Sequence, residues 1–410
     1  MRWLVSLLVL WLSVAAVAQR DVSWQQLVSA VMAEDDDNAD DWEELILRLE
    51  EMASSPRDIN SMTRSDWEEL PFLTPLMVEQ LVEYSDRYGP LKSMNELLML
   101  TALDATRRQL LHYFFYVGDS RGESPLTLSD IAAYGQHEIM GYVRVPCYNR
   151  RGDDNGYAGY PYKHWMRYQF SYHDRVKAGF VGSQDAGEPF LSGSNTMGYD
   201  FYSMYLQLNR VGRFQTVVVG KYKVSAGMGL VLNNGFSLGK LAMLGQLGRS
   251  SVTLRAHSSR STDYMQGAAA TMTVGSKLTT TAFVSYRPLD ATLNSDGSVR
   301  TLVTNGYHRT PAELSKKNNT HAAEAGASVM LRYNRLFLGA TAVYSALDRR
   351  LSPPSTVLYR RYDASGDRFL NVGTNYGFLS RRLTVGGETA MDKHGAVATI
   401  NSIVAILAID

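Results

Sequence analysis

The stretch from Tyr162 to Gly182 constrains this chain most, because apolar and polar residues alternate along it with a period of two. The even positions carry Tyr162, His164, Met166, Tyr168, Phe170 and Tyr172, and the odd positions carry Lys163, Trp165, Arg167, Gln169, Ser171 and His173. After Asp174 the alternation resumes, with Val176, Ala178 and Phe180 against Arg175, Lys177 and Gly179. This period, kept over about ten residues, fits a strand that crosses roughly 25 Å of hydrocarbon, with an apolar outer face and a wet interior.

Twelve segments beyond residue 130 have the pattern of such strands. They are 131–145, 162–173, 175–182, 199–209, 213–222, 265–274, 277–287, 322–333, 336–345, 370–379, 382–391 and 395–408. Short turns alternate with long polar connections between them, which is typical of outer-membrane barrels with periplasmic turns and extracellular loops. The sequence therefore predicts an all-β transmembrane antiparallel barrel of about twelve strands over 131–410. A soluble β-sandwich is the alternative fold.

The first residues indicate the compartment. Arg2 is followed by an apolar run from Trp3 to Val17, and Ala16-Val17-Ala18 matches an A-x-A cleavage site. These features predict a secretory signal peptide over 1–18, and with the barrel they indicate the outer membrane of a Gram-negative bacterium. The single cysteine, Cys147, excludes an internal disulfide, so stability must come from packing and hydrogen bonding.

Charge separates the chain into two parts. Residues 20–118 hold 20 Asp and Glu against 8 Lys and Arg, and residues from 119 onward hold 21 acidic and 32 basic side chains. Apolar residues at helical spacing predict two amphipathic helices in the acidic part, around Trp24 to Met32 and Trp42 to Met52. The acidic stretch between them lacks the glycine and carboxylate spacing of a calcium loop. We therefore predict an acidic helical module over 19–118, placed in the periplasm.

The second half of this module, 57–116, carries short helices with strong start and stop signals. The segments Ile59-Asn60, Leu70-Pro71-Phe72-Leu73-Thr74, Tyr88-Gly89-Pro90-Leu91 and Glu96-Leu97 resemble helix-hairpin-helix domains of the competence DNA-receptor type. In those domains the hairpin is a glycine-rich turn whose backbone N–H groups approach phosphate. Here the hairpin positions lack that glycine and carry Phe72, Leu73, Ala102 and Leu103. The acidic charge also repels a duplex, which favours docking to a periplasmic or envelope protein over nucleic-acid binding.

Two further segments complete the predicted domain organisation. Residues 119–130 form a linker rich in Gly, Ser and Pro, and residues 222–264 break the strand pattern and are expected to re-enter the barrel as a partial plug. Across nearly its whole length the chain resembles the larger helix-hairpin-helix outer-membrane barrel proteins, which continue for further strands. The chain ends on Asp410 and lacks the terminal aromatic residue of bacterial barrels, so this resemblance leaves open a truncated form.

The parity of the strands selects candidate pore-lining residues. Alternation along the strands places six cations on the side that faces the barrel lumen: Lys163, Arg167, Arg175, Lys177, Lys277 and Arg287. A cluster of fixed positive charge in a lumen favours a small anionic solute. Because parity gives no depth, these side chains could equally lie at the strand ends and bind lipid phosphates, or simply solvate the lumen.

The function predicted from these patterns is a non-enzymatic outer-membrane barrel, acting as a pore or transport or assembly element. Outer-membrane lipid and an envelope protein are the expected partners; no cofactor, metal site or catalytic residue is expected. DNA uptake and an outer-membrane hydrolase are the alternatives. Histidines and possible partners for a hydrolase are present, but no spacing such as G-x-S-x-G marks them: His137, His164, His257, His308, Ser258, Asp263 and Asp153.

Overall fold

The computed structural model describes residues 23–31, 39–118, 127–154, 156–193, 195–233, 252–259, 262–275, 277–354, 363–380 and 383–405. The predicted signal peptide 1–18 and most of the predicted linker 119–130 lie outside these residues. No helix within the described ranges is both long and apolar enough to cross a membrane. The described chain is mostly β, with a small helical part before a large sheet, and this confirms the coarse prediction of fold class.

The helical module consists of short helices from Trp24 to Phe114. They are α1 Trp24–Val31, α2 Ala39–Ser54, α3 Arg64–Glu68, α4 Pro75–Tyr88 and α5 Ala105–Phe114, with two 3-10 helices at Ile59–Ser61 and Met94–Met99. Strands β1 Arg57–Asp58 and β2 Phe115–Tyr116 pair in parallel, so the ends of the 57–116 segment lie side by side. The module therefore closes on itself before the chain enters the sheet.

Side-chain caps set the helix starts that the sequence indicated. Thr63 and Asp66 form a reciprocal capping box at the start of α3, and Pro75 occupies the first turn of α4. The carboxylate of Asp104 accepts a hydrogen bond from the backbone N–H of Arg107 at the start of α5. Each cap satisfies a backbone N–H group that has no partner within its helix, which stabilises the helix by roughly 0.5 to 2 kcal/mol.

One apolar core holds these helices together. The rings of Trp24 and Phe72 each pack against Phe114, with centroids 5.8 Å apart, and Leu49 and Leu110 are almost fully buried beside them. Because the core draws on α1, α2, the α3–α4 hairpin and α5, all four segments must dock together. Truncating one such side chain to alanine would cost roughly 2 to 5 kcal/mol.

Within the described residues, fourteen strands form the sheet. They are β3 Gln136–Arg144, β4 Lys163–Tyr172, β5 Val176–Gln184, β6 Phe201–Val211, β7 Phe214–Ala226, β8 Val252–Ala256, β9 Met265–Val274, β10 Leu278–Leu293, β11 Val299–Val303, β12 Thr320–Tyr333, β13 Leu336–Leu351, β14 Gly366–Leu379, β15 Leu383–Asp392 and β16 Val397–Ala405. Twelve of them, all except β8 and β11, follow one another in an antiparallel meander from β3 to β16. Each of the twelve predicted segments overlaps one strand of this meander.

The described sheet has two strands more than the predicted count of about twelve, because β8 and β11 add to it. Strands β7 and β10 are longer than predicted and extend beyond their neighbours at the end of the long connections. β8 pairs with the last residues of β7, and β11 pairs with the last residues of β10. The two added strands satisfy backbone groups that the extensions would otherwise leave unpaired.

The predicted start of the first sheet strand, at residue 131, was also wrong. Residues Leu128–Tyr134 form a helix, α6, and β3 begins only at Gln136. Thr127 caps this helix by accepting a hydrogen bond from the backbone N–H of Asp130. Two further short helices, α7 Arg151–Asp154 and α8 Pro311–Leu314, lie in the long connections.

The two faces of the sheet differ in character. The buried face mixes polar with apolar residues: Ser203 is 0% exposed, Arg167 3% and Phe283 3%. Their neighbours on the other face are apolar and exposed, as with Met204 at 61% and Val284 at 57%. We call the buried side the inner face. A water-soluble sheet turns polar side chains to the solvent, so an exposed face that is apolar departs from the soluble pattern.

The sheet is strongly curled around its inner face. Met228, two residues and at most about 7 Å beyond the end of β7, donates its backbone N–H to Glu388 Oε2 of β15 at 2.6 Å. In a flat sheet, six strand spacings would separate β7 from β15 by about 29 Å. The far strands must therefore fold back across the inner face. Among the described residues, no backbone pairing joins β3 to β16.

Candidate functional site

The helical module lies against the inner face near the short turns. Glu51 of α2 accepts hydrogen bonds from Gln169 Nε2 of β4 at 2.9 Å and from Lys177 Nζ of β5 at 3.3 Å. Burial alone would raise the pKa of Glu51, but the nearby cations Lys177 and Arg167 outweigh burial and lower it to about 2. The carboxylate is 15% exposed, and its charge is compensated by the sheet.

Further polar contacts join the module to the short turns on both sides of the curl. Arg57 pairs with Asp174 in the β4–β5 turn at 3.2 Å, and Gln215 Nε2 at the start of β7 donates to Thr63 and Ser65 at 2.8 and 2.9 Å. On the opposite side, the cations at the β12–β13 turn meet acids of α4, with Arg332 4.0 Å from Glu79 and Arg335 3.8 Å from Glu83. The module thus spans the end of the enclosed space.

A cavity of about 1230 Å³ remains between α3, α4 and the short-turn edge of the sheet. We call it the vestibule. The sheet contributes five cations to its wall: Arg210, Arg213, Lys277, Arg332 and Arg335. The module contributes Glu79, Glu83 and Asp86 together with Arg64 and Arg87. The vestibule is therefore a large charged space at the end that the module covers.

The segment after β7 crosses the enclosed space. The backbone N–H groups of Met228 and Val231 both point to the buried carboxylate of Glu388. Gly227 has a φ of +58°, and a Cβ there would lie 2.9 Å from Glu388 Oε2, so glycine fits both the turn and the close approach. In the predicted re-entrant segment 222–264, residues 222–226 belong to β7 and 252–256 to β8, so these parts pair in the sheet and the prediction of a plug was wrong for them. Residues 227–232 reach the inner face at Glu388, and 234–251, 260 and 261 lie outside the described residues.

The six predicted pore-lining cations do not form one ring. Lys163 and Arg167 are buried on the inner face of β4, and Lys177 meets Glu51. Lys277 lines the vestibule, with Nζ 4.6 Å from the centroid of the Tyr333 ring. The other two cations donate hydrogen bonds to backbone carbonyls: Arg175 to that of Arg210, and Arg287 to that of Thr262.

Other inner-face cations were missed by the sequence analysis. A small cavity of about 30 Å³ is bounded by four basic side chains and a histidine: Arg48, Arg167, Lys223, Arg255 and His257. Burial and the neighbouring Arg255 lower the pKa of Arg48 to about 10, and Arg48 forms an ion pair with Glu69. Lys223 follows the end of the predicted segment 213–222, Arg48 comes from a helix, and Arg255 comes from the unpredicted strand β8.

The long connections at the other end of the sheet meet around His308. His308 Nδ1 lies 2.5 Å from Asp200 Oδ2, and His308 Nε2 lies 2.8 Å from Asp290 Oδ2. The backbone N–H of His308 donates to Glu188 at 2.9 Å, and Lys317 Nζ donates to Asp200 at 2.6 Å. We call these five residues the His308 cluster. It ties the β5–β6 connection to the β11–β12 connection and to the end of β10.

Electrostatics within the His308 cluster favour a charged imidazolium. Burial would lower the pKa of His308, but its hydrogen bonds to Asp200 and Asp290 outweigh burial and raise it to about 9. Burial, with the neighbouring carboxylates of Asp200 and Asp185, raises the pKa of Glu188 to about 7. The imidazolium therefore acts as the cationic link between acidic groups from different connections.

Glu188, Asp200 and His308 could also be considered as metal ligands, because their ligand atoms lie within 4.8 Å of one another. A metal bonded to both His308 Nδ1 and Asp200 at about 2.0 to 2.2 Å would hold these two atoms more than about 3 Å apart. Their separation is 2.5 Å, and Lys317 already pairs with Asp200. The geometry is that of a hydrogen-bonded ionic cluster.

The histidines considered for a hydrolase have other partners. His137 Nδ1 lies 2.8 Å from the hydroxyl of Tyr168, and His164 Nε2 lies 2.5 Å from the hydroxyl of Tyr160. His308 is held by carboxylates, and His257 stacks on the Tyr264 ring. A serine nucleophile requires a hydroxyl within hydrogen-bonding distance of its base. None of the hydrogen bonds described here for these histidine rings has a serine hydroxyl as its partner.

The hairpin residues of the module form contacts within the module itself. Phe72, Leu73 and Leu103 are buried in the module core, and the Arg107 side chain donates to the carbonyl of Phe72 at 2.6 Å. The backbone N–H of Ala102 donates to Gln80 Oε1 at 2.9 Å, and those of Leu73 and Leu103 bond carbonyls of their own turns. These N–H groups are therefore occupied, whereas phosphate contact would need them free.

No protein-family model and no curated protein matches this chain. Among solved structures, a porin refined at 1.8 Å resolution is similar with 12% sequence identity and a TM-score of 0.30. The similarity covers 60% of this chain and 62% of the porin chain, so this chain matches less than two thirds of that protein's length.

Proposed function

We propose that this protein is an outer-membrane β-barrel that acts as a pore or transport element and carries its own helical module at the periplasmic end. The observation that carries this proposal is the outer face of the sheet, which exposes apolar side chains while the inner face buries many polar ones. Such a surface is costly in water and favourable in lipid, because only the outer face then meets hydrocarbon. Closure of the sheet into a complete barrel is part of the proposal.

The distribution of connections supports the proposed orientation. The module contacts the sheet at short turns, through residues such as Asp174 and Arg335. The His308 cluster lies in the long connections, at the opposite ends of the strands. Outer-membrane barrels have short turns toward the periplasm and long loops outside. The acidic module therefore belongs on the periplasmic side, and its docking target includes the barrel of the same chain.

The module gives this barrel a restricted entrance. Glu51 engages the inner face, while α4 covers the short-turn edge and leaves the vestibule beside it. The segment 227–232 narrows the space further by reaching from β7 to β15. A solute would pass these obstacles or displace them. We therefore expect a low conductance that rises when the contacts of the module are broken.

A charge placed on the outer face tests the membrane proposal. Val284 is exposed in β10, six residues from the strand start at Leu278, which places it near the middle of a hydrocarbon layer. Lysine at such a depth costs about 2 to 4 kcal/mol in lipid, whereas surface substitutions in water stay within about 0.5 kcal/mol. We expect V284K to reduce the outer-membrane fraction that shows boiling-dependent gel migration.

The matched control is Leu98→Lys, which introduces the same charge at an exposed apolar residue of the helical module. This variant should assemble like the unmodified chain. If V284K and L98K fold and fractionate alike, or if the mature chain is recovered as a water-soluble protein, the outer face does not contact lipid and the proposal is wrong.

A further inference from the structure

The vestibule has walls of unequal charge. Among the described residues, the five ionisable side chains from the sheet wall are all basic. The opposite wall, formed by α3 and α4, carries Glu79, Glu83 and Asp86 besides Arg64 and Arg87. The lining therefore holds seven cations against three carboxylates, a formal net charge of +4. A space lined by one sign of charge concentrates ions of the opposite sign.

The carboxylates of the module account for only part of this positive charge. Glu79 lies 2.8 Å from Arg64 and 4.0 Å from Arg332, and Glu83 lies 3.8 Å from Arg335. Within the described part of the chain, no ion pair joins Arg87, Arg213 or Lys277 to a carboxylate. These three side chains are exposed and belong to both walls, so they can approach one ligand from two sides.

We propose that the vestibule is a binding site for a small, multiply charged phosphate-type anion, held by Arg87, Arg213 and Lys277. The guanidinium groups offer paired N–H donors that match phosphate oxygens, and lysine adds a point charge. The cavity of about 1230 Å³ accommodates a ligand the size of pyrophosphate or a phosphorylated sugar with its hydration shell. This inference rests on the proposed function and names the class of solute that such an entrance would receive.

Two features favour a small anion over a nucleic-acid duplex. The acids Glu79, Glu83 and Asp86 line the same cavity and would repel a long polyanion running along α4. The available cations are also few and converge on one space, whereas duplex binding uses a line of phosphate contacts. A compact ligand with two or more charges matches this small group of cations better than a duplex does.

Isothermal titration of the full-length protein in non-ionic detergent with sodium pyrophosphate tests the site. The test variant is R213E/K277E, and the control is R300E/R349E, which makes the same charge change at exposed residues of the long-connection end. We expect the test variant to weaken pyrophosphate binding about tenfold or more, and the control to bind within about twofold of the unmodified chain. Boiling-dependent gel migration verifies that each variant is folded; R213Q/K277Q replaces the charge reversal if it does not assemble.

Three outcomes would overturn the proposal: absence of pyrophosphate binding at millimolar concentration, equal weakening in test and control variants, or binding only of micelles doped with phosphatidylglycerol. The last result would assign these cations to lipid headgroups. Because binding is measured in detergent and at equilibrium, it does not require an open pore. If pyrophosphate does not bind but V284K still impairs assembly, the vestibule proposal is wrong and the proposed function stands.

Discussion

The His308 cluster makes stability of the long connections depend on pH. His308 is 7% exposed and bridges Asp200 and Asp290, with Glu188 on its backbone N–H and Lys317 on Asp200. Replacing His308 by glutamine keeps a polar side chain of similar reach but removes the charge. We therefore expect H308Q to loosen the connection between β5 and β6 and the connection between β11 and β12.

The magnitude follows from the pKa of His308, which rises from about 6.5 to about 9 on folding. A raised folded pKa means that the stabilisation is fully present below pH 6.5 and is lost as pH rises through about 9. The change corresponds to about 3 kcal/mol, or about a hundredfold in the local opening equilibrium. Glu188, whose pKa is raised to about 7, acts in the same direction because its ionisation adds negative charge beside Asp200.

Hydrogen exchange of the full-length protein in detergent measures this opening. Amide protection in residues 185–193 and 304–319, corrected for the intrinsic exchange rate, should fall about a hundredfold between pH 6 and pH 9.5 in the unmodified chain. H308Q should be poorly protected at both pH values. The matched control is H321Q, because His321 also faces a carboxylate, Asp348, but at a half-exposed position.

The proposed role of the His308 imidazolium is wrong if protection in the two connections is independent of pH, or if H308Q retains full protection at pH 6. It also fails if H321Q loosens these segments as much as H308Q does, because the effect would then be general to histidine loss near the sheet. Added zinc should not restore protection to the unmodified chain at pH 9.5; restoration would replace the ionic cluster by a metal site.

Four further predictions concern the module and the space inside the curled sheet. Glu51→Lys should release the module from the inner face and raise single-channel conductance, and Lys177→Glu added to it should restore the contact; no conductance change in Glu51→Lys would contradict the docking. The pKa of Glu51 is lowered to about 2, so its carboxylate contributes about 3 kcal/mol to docking of the module. This contribution is present above pH 4.5 and lost as pH falls toward 2, and protease accessibility of the module measures the loss. Glu388→Ala should free the segment 227–232 and raise conductance even when the module stays docked, whereas unchanged conductance would show that this segment does not narrow the path. Gel shift of the full-length protein at low salt should show no retention of duplex DNA, and salt-sensitive retention would favour the DNA-uptake alternative.

The strands could be predicted because the two faces of the sheet lie in different environments, so alternate residues differ in polarity. Segments such as β4 and β12 alternate over their whole length, and each predicted segment overlaps a strand. The start of β3 could not be found in this way, because Ile131 to Tyr134 fit a helix turn as well as a strand. The deciding signal was local and was overlooked: Thr127 three residues before Asp130 is a helix cap.

The extra strands β8 and β11 were missed for a different reason. Each has only five residues and pairs with the extended end of a longer strand, so its existence depends on how far β7 and β10 project. That length is set by the curled sheet and by the connections packed on it. A five-residue stretch without a long alternation carries too little information to predict pairing of this kind.

Contacts between residues far apart in the sequence could not be predicted from strand parity. Parity assigned Lys177 and Arg167 to the inner face, but it could not bring Glu51 to them across more than 100 residues of sequence. Similarly, His308 was considered for catalysis beside nearby serines, whereas its ring partners are Asp200 and Asp290. Charge pairing over such separations follows from the three-dimensional curl, and a single sequence contains no direct signal of it.

These contacts explain why acidic residues are concentrated in the helical module and basic residues in the sheet. The acidic excess of residues 20–118 suggested a docking surface for another protein, but several of its carboxylates meet cations of the chain's own sheet. Glu51 on the inner face, and Glu79 and Glu83 at the short turns, are the described examples. The contacts of Glu79 and Glu83 are ionic and partly exposed, so each contributes little alone and the attachment depends on these acting together with the contact of Glu51 on the inner face. The proposed anion would bridge Arg87 of the module and Arg213 and Lys277 of the sheet, so anion binding and docking of the module are thermodynamically linked.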